Sequence, residues 1–145
     1  MKKIFGKIIC LFLIIFYFSK VDQVQSLIPY YYFPTTRNLQ KESLSIAKDA
    51  YQLLYFGQYK ESLNLARLAI KINKTDAKLW LILSEAQVAN KLYTEGLSSL
   101  NEAQKINSNL SEIYFAKSNI YFKIEQFENA KKALKTGLSF EPNNH

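Results

Sequence analysis

The chain of 145 residues has a single cysteine, a single histidine, three prolines and four glycines. One thiol, Cys10, makes no intramolecular disulfide, and a lone His145 with that cysteine supplies no clustered donors for a metal. Gly6, Gly57, Gly96 and Gly137 are too scattered to build a phosphate-cradling loop. So few glycines and prolines also exclude a β-sandwich, which needs a turn signal after every short strand. Nucleophilic catalysis requires a nucleophile beside a base, and no such constellation is present. Asp49 and Glu85 are expected to be solvent-facing helix charges rather than an acid–base pair. The expectation is therefore a chain that is not an enzyme and that needs no cofactor and no metal.

What remains is 48% hydrophobic and 21% charged, the composition of an ordinary globular domain, and rich in leucine and alanine, which favours helices. The formal charge is +7, but it is unevenly placed. The first 26 residues hold four of the 19 basic side chains (Lys2, Lys3, Lys7 and Lys20) against one of the 12 acids (Asp22), leaving an excess of +4 elsewhere. That excess is dispersed over the helices, adjacent only at Lys131 and Lys132, so the basic stripe of a nucleic-acid footprint is missing. No nucleic-acid partner is expected.

The opening segment has the layout of an export leader. Lys2, Lys3 and Lys7 precede an unbroken apolar run over residues 8–18, followed by polar residues. A helix of that length reaches only about 16 Å at ~1.5 Å per residue, against about 30 Å of hydrocarbon. A cleaved signal peptide over residues 1–26 is favoured, with Val24-Gln25-Ser26 as the cleavage pattern, and a retained membrane anchor is the alternative. Either places the protein outside the cytoplasm (periplasm, lumen or secreted) or at a membrane. Cys10 lies inside the apolar run, so lipid attachment there is not expected.

Beyond residue 42 the chain repeats itself every 34 residues, in blocks 43–76, 77–110 and 111–144. Ile46, Trp80 and Tyr114 form a large apolar column; Ala50, Ser84 and Ser118 a small one. Tyr59, Tyr93 and Phe127 are aromatic. Ser62, Gly96 and Ala130 are small, Ala66, Leu100 and Leu134 apolar, and Ala69, Ala103 and Gly137 small again. Within each block the apolar spacing predicts two helices, split at Gly57-Gln58, Lys91-Leu92 and Glu125-Gln126. Asn73 to Asp76, Asn107 to Asn109 and Glu141 to Asn144 end the second helices. Small residues at fixed places let one helix cross another closely.

The period, the Trp80-x2-Leu83-Ser84 start, the Ala130-x3-Leu134 spacing and Pro142 resemble the tetratricopeptide repeat. Departures occur at Asp49 and Lys117, which stand where the middle block has Leu83, at Ser62 for alanine, and at Lys74 and Ser108 for the closing proline. The resemblance implies an all-α fold: a right-handed α-α superhelix of three helix hairpins, whose first helices line a concave groove. Residues 27–42 then carry an aromatic strap and the start of the first helix.

That family geometry implies groove positions at Leu44, Ala47, Tyr51 and Tyr55 in the first block, Lys78, Leu81 and Glu85 in the second, and Glu112, Phe115, Asn119, Phe122 and Lys123 in the third. Leu54, Val88 and Phe122 fit the groove and an interhelical core equally well. The lining is mostly apolar and aromatic. Some members of the family grip a C-terminal carboxylate with Lys, Arg and Asn, but here Glu85 and Glu112 oppose Lys78, Asn119 and Lys123. The expected partner is therefore a protein or peptide presenting an apolar or aromatic segment. A scaffold for protein–protein interaction follows from the resemblance. The leader, the aromatic strap and the Asn/Lys/Ile-rich repeats also resemble small single-anchor tetratricopeptide proteins of cyanobacteria and plastids that assist photosystem I assembly. A structural subunit of an envelope or secretion complex is the third reading.

Residues 27–34 place Tyr30, Tyr31, Tyr32 and Phe33 between Pro29 and Pro34, which hold the segment extended. Three readings stand: a strap on the first helix pair, an interfacial belt beside a retained anchor, or an occupant of the groove. The third block is followed by no capping helix in this sequence, so self-association through its last helix is also expected.

Overall fold

The computed structural model describes residues 36–141. The leader over 1–26, the strap residues Tyr30, Tyr31, Tyr32 and Phe33, and residues 142–145 lie outside the described residues. Six helices follow one another: α1 (Thr36–Tyr55), α2 (Tyr59–Ile72), α3 (Ala77–Ala89), α4 (Tyr93–Ile106), α5 (Ser111–Lys123) and α6 (Phe127–Ser139). Among the described residues there is no strand, and the fold is all-α.

The helices pair as the repeat predicts, and one turn closes all three hairpins. The N–H groups of Gly57, Lys91 and Glu125 donate to the carbonyls of Leu54, Val88 and Phe122. Those of Gln58, Leu92 and Gln126 reach back to Leu53, Gln87 and Tyr121 at 2.8–2.9 Å. This double bond is the Schellman closure, and it requires a left-handed residue after the helix. Gly57 takes φ 76° without steric cost, while Lys91 and Glu125 are held at 63° and 61° with side chains in place. The turn is thus optimal in the first hairpin and strained in the other two.

The links between hairpins repeat as well. Asn73 Oδ1 accepts from the Thr75 N–H at 2.9 Å, and Asn107 Oδ1 accepts from the Asn109 N–H at 3.1 Å. Each is a side-chain turn that breaks the preceding helix. The next helix then ties down the link. Trp80 Nε1 donates to the Lys74 carbonyl at 2.9 Å, and the Tyr114 hydroxyl donates to the Ser108 carbonyl at 2.7 Å. In α3 and α5 the large column therefore has two tasks: its ring packs, and its polar tip anchors the link six residues upstream.

Small residues govern how closely the hairpin helices cross. The Ser62 hydroxyl on α2 donates to the Ala50 carbonyl on α1 at 2.8 Å, and the Ser118 hydroxyl on α5 donates to Ala130 on α6 at 2.9 Å. Hydroxyl-to-backbone contacts between helices are available only where neither helix carries bulk. Around these crossings lie two apolar clusters. The first joins α1, α2 and α3 through Ala47, Ala66, Leu63, Leu79 and Leu83; the second joins α3, α4 and α5 through Ala77, Leu100, Ala103, Ile113, Tyr114 and Ile120. Trp80 packs against both, so the middle hairpin is the link between them.

The first helices lie side by side, α1 beside α3 and α3 beside α5, whereas the second helices do not approach one another as closely. The stack therefore curves with α1, α3 and α5 inside. Leu134 departs from its column. Ala66 and Leu100 are buried where α3 packs on α2 and α5 on α4, but Leu134 is exposed, with no described helix over it. Tyr59 and Phe127 in the aromatic column are exposed too.

Tyr114→Phe should lower stability by about 1 kcal/mol, the worth of one hydrogen bond to the link. Lys91→Gly should raise it by about 0.5–1 kcal/mol by relieving the left-handed turn. Urea denaturation of the full chain checks both, and opposite signs would contradict the assigned roles.

Candidate functional site: the face of the first helices

Each first helix spends one side on its own second helix and one on the neighbouring first helix, and what is left forms the inner face. Tyr51 and Tyr55 are 56% and 85% exposed, on successive turns of α1. Tyr55 meets the Phe56 ring edge-on, 5.6 Å between centroids. On α3 and α5, in register with Tyr51, stand Glu85 and Asn119.

A cleft of about 430 Å³ opens between α3 and α5. Glu85, Phe115 and Asn119, expected from the sequence, line it together with Glu112 and Val88. Its remaining walls are Ser84, Ala89, Ala116 and Ile120. Phe115 is shared between two duties. Its ring lies against Gly137 of α6, so close that a Cβ there would stand 2.7 Å from Cε1. A second hollow of about 480 Å³ sits at the starts of α1 and α3 and takes in Leu44 and Lys78 along with Gln40, Asp76, Ile106 and Leu110. Lys123, Tyr51, Tyr55 and Phe122 line neither hollow; they are exposed on their helices.

Two expected groove positions are corrected by the packing. Ala47 is 1% exposed and belongs to the first cluster, because α3 lies against α1 and covers its methyl. Leu81, in the same column, is half-buried against the second cluster. This column is the seam between first helices. Leu54, Val88 and Phe122 also part company. Leu54 packs on the first cluster, Val88 both packs and lines the cleft, and Phe122 is 64% exposed, touching only the edge of Phe127 at 5.6 Å.

The sequence model of the tetratricopeptide repeat matches residues 111–144. The described residues have the tetratricopeptide-repeat fold. The first tetratricopeptide domain of Spaghetti (RPAP3), bound to the HSP90 peptide SRMEEVD, shares 21% identity over 72% of this chain and 83% of that one, with a TM-score of 0.67. The tetratricopeptide domain of Arabidopsis OM64 shares 16% over 73% and 88%, TM-score 0.67. The Yersinia enterocolitica type III secretion translocator chaperone SycD shares 13% over 72% and 79%, TM-score 0.68. No curated protein sequence matches the chain.

The electrostatics of this tetratricopeptide face are set by where its charges are held. Lys78 lies at the other hollow and Lys123 at the last turn of α5, so neither joins Asn119 in the cleft. Lys117 turns away from it, donating to Gln104 Oε1 on α4 at 2.5 Å, and burial lowers its pKa. Glu85 departs from the expectation of a solvent-facing charge. It is half-buried, and desolvation raises its pKa above the usual carboxylate value. Among the described residues no group forms a metal-binding cluster of His, Cys, Asp and Glu, and no helix is long and apolar enough to cross a membrane.

A raised carboxyl pKa in the folded state means that ionised Glu85 opposes folding. Stability should fall as pH rises from the unfolded carboxylate range through the folded pKa. Glu85→Gln should therefore stabilise the chain at pH 7 and make no difference at pH 3, where both states carry a neutral side chain. Thermal unfolding at the two pH values measures this; a destabilised variant at pH 7 would show that the carboxylate has a stabilising partner.

Proposed function

We propose that the protein is a non-catalytic scaffold that binds a polypeptide partner along the face of α1, α3 and α5. The observation that carries this reading is the combination of a continuous first-helix face, exposed aromatics on it, and a cleft of about 430 Å³ with apolar walls. Exposed rings that the fold does not use offer large apolar area to a partner, at roughly 25 cal/mol per Å² buried. Two proteins of the same fold support the reading, since their structures hold peptides: Spaghetti with the HSP90 peptide, and SycD with a peptide of the translocator YopD.

The groove favours a segment with apolar or aromatic side chains, in extended or helical form. Attachment to a membrane, or export across one, belongs to the same proposal and rests on the leader over residues 1–26. Within it, an assembly factor for a membrane complex such as photosystem I binds transiently, and a structural subunit of an envelope or secretion complex binds at a fixed ratio. The stoichiometry of the native complex separates them.

Tyr51→Ala with Tyr55→Ala tests the face itself. Both side chains are exposed, so far-UV circular dichroism and the melting temperature should change little. Recovery of the co-purifying polypeptide from native extracts should drop at least about tenfold, the loss of two aromatic anchors. Unchanged recovery with unchanged helicity would remove α1 from the binding face.

A further inference from the structure

Resting on the groove reading above, we infer that the cleft between α3 and α5 receives a basic side chain, Lys or Arg, carried by an otherwise apolar stretch of the partner polypeptide. One carboxylate stands on each helix of the cleft, Glu85 on α3 and Glu112 on α5. Among the described residues neither is ion-paired; the pair that forms is Lys105 with Glu102, at 2.6 Å on α4. Glu112 lies 3.2 Å from the neighbouring Ser111 hydroxyl, whose single proton is shared with Glu141. Two cationic residues close in sequence are directed elsewhere, Lys117 to α4 and Lys78 to the second hollow.

Apart from the two carboxylates, Asn119 and Ser84, the cleft walls are hydrocarbon. Val88 and Phe115 line its sides. Ser84, 1% exposed, lines it as well, and its hydroxyl has no hydrogen-bond partner among the described residues. Its counterparts in the flanking hairpins are satisfied: Ser118 donates to Ala130, and the Ala50 carbonyl receives Ser62. In the middle hairpin the facing residue is Gly96, whose missing Cβ would lie 3.4 Å from the Ser84 oxygen and 3.3 Å from a Val88 methyl. That buried hydroxyl faces the α3–α4 crossing and is no part of the open cleft.

Acidic rims over apolar walls select among ligands. An acidic side chain or a free C-terminus would add a third negative charge to a cleft where Glu85 is already poorly solvated. A bare metal ion would find two carboxylates and leave the apolar walls unused, while calcium takes about six to eight oxygens. A Lys or Arg side chain matches both layers, its methylenes against Val88 and Phe115 and its charge between the carboxylates. The cleft of about 430 Å³ also has room for an apolar neighbour of that side chain.

The probes are three capped heptapeptides of alternating residues, leucine with lysine, leucine with glutamine and leucine with glutamate, titrated into the full chain at about 0.15 M salt, where screening is physiological. Calorimetry gives the affinity, and backbone amide shifts at residues 85, 88, 115 and 119 give the place. The lysine peptide should bind about tenfold more tightly than the glutamine peptide and shift those amides, with the glutamate peptide weakest. Glu85→Gln and Glu112→Gln together should abolish the lysine preference while helicity is retained. Equal binding of all three peptides at those amides, or a lysine preference that survives both substitutions, overturns the inference and leaves the groove reading standing. Absence of shifts there with every peptide overturns both.

Discussion

The first and third hairpins depend on two helices crossing so closely that a hydroxyl on one reaches a backbone carbonyl on the other. Ser62 to Ala50 and Ser118 to Ala130 are those contacts, at 2.8 and 2.9 Å. They exist because alanine, serine and glycine occupy the crossing on both helices. Bulk at any of these places would push the pair apart, and the Schellman turn beyond would no longer close in three residues. The middle crossing, Ser84 against Gly96, follows the same rule but has no hydroxyl-to-carbonyl bond. It lies under the cleft formed between α3 and α5.

From that close crossing the rest of the stack follows. With the hairpin thin, the next first helix can pack on both members of the pair, and α3 does so against α1 and α2. The links are short enough to be held by one side chain each, Trp80 and Tyr114, whose rings are shared with the clusters and whose polar tips take a link carbonyl. Because first helices approach one another and second helices do not, the inner face is made wholly of α1, α3 and α5. The first helices change in character along the stack, from exposed tyrosines on α1 to carboxylates beside an apolar cleft at α3 and α5. A partner segment that crosses the whole face would meet aromatic surface first and negative charge second.

Most of the hairpin architecture was legible in the residues. The 34-residue period places all six helices, and the breaks expected at Gly57, Lys91 and Glu125 are the left-handed turn residues. In the candidate site, two of the expected groove positions, Glu85 and Asn119, line one cleft. Other parts were hidden. Nothing in the pattern marks Ala47 as covered or Leu134 as open, since both sit in columns whose other members behave differently. Glu85 resembles any surface helix charge until α5 is laid beside α3. Ser84 belongs to the same small column as Ser118, yet its hydroxyl has no partner among the described residues while that of Ser118 reaches the Ala130 carbonyl.

By itself the sequence determined the local elements and their order, because helix spacing, turn chemistry and the small-residue crossings act over a few residues and recur with the period. The tertiary structure decided which side chains of each first helix are seam, core or open face. Exposure at any one position depends on the helix that arrives from the next hairpin, one full repeat further along the chain, whose bulk and tilt no local pattern encodes.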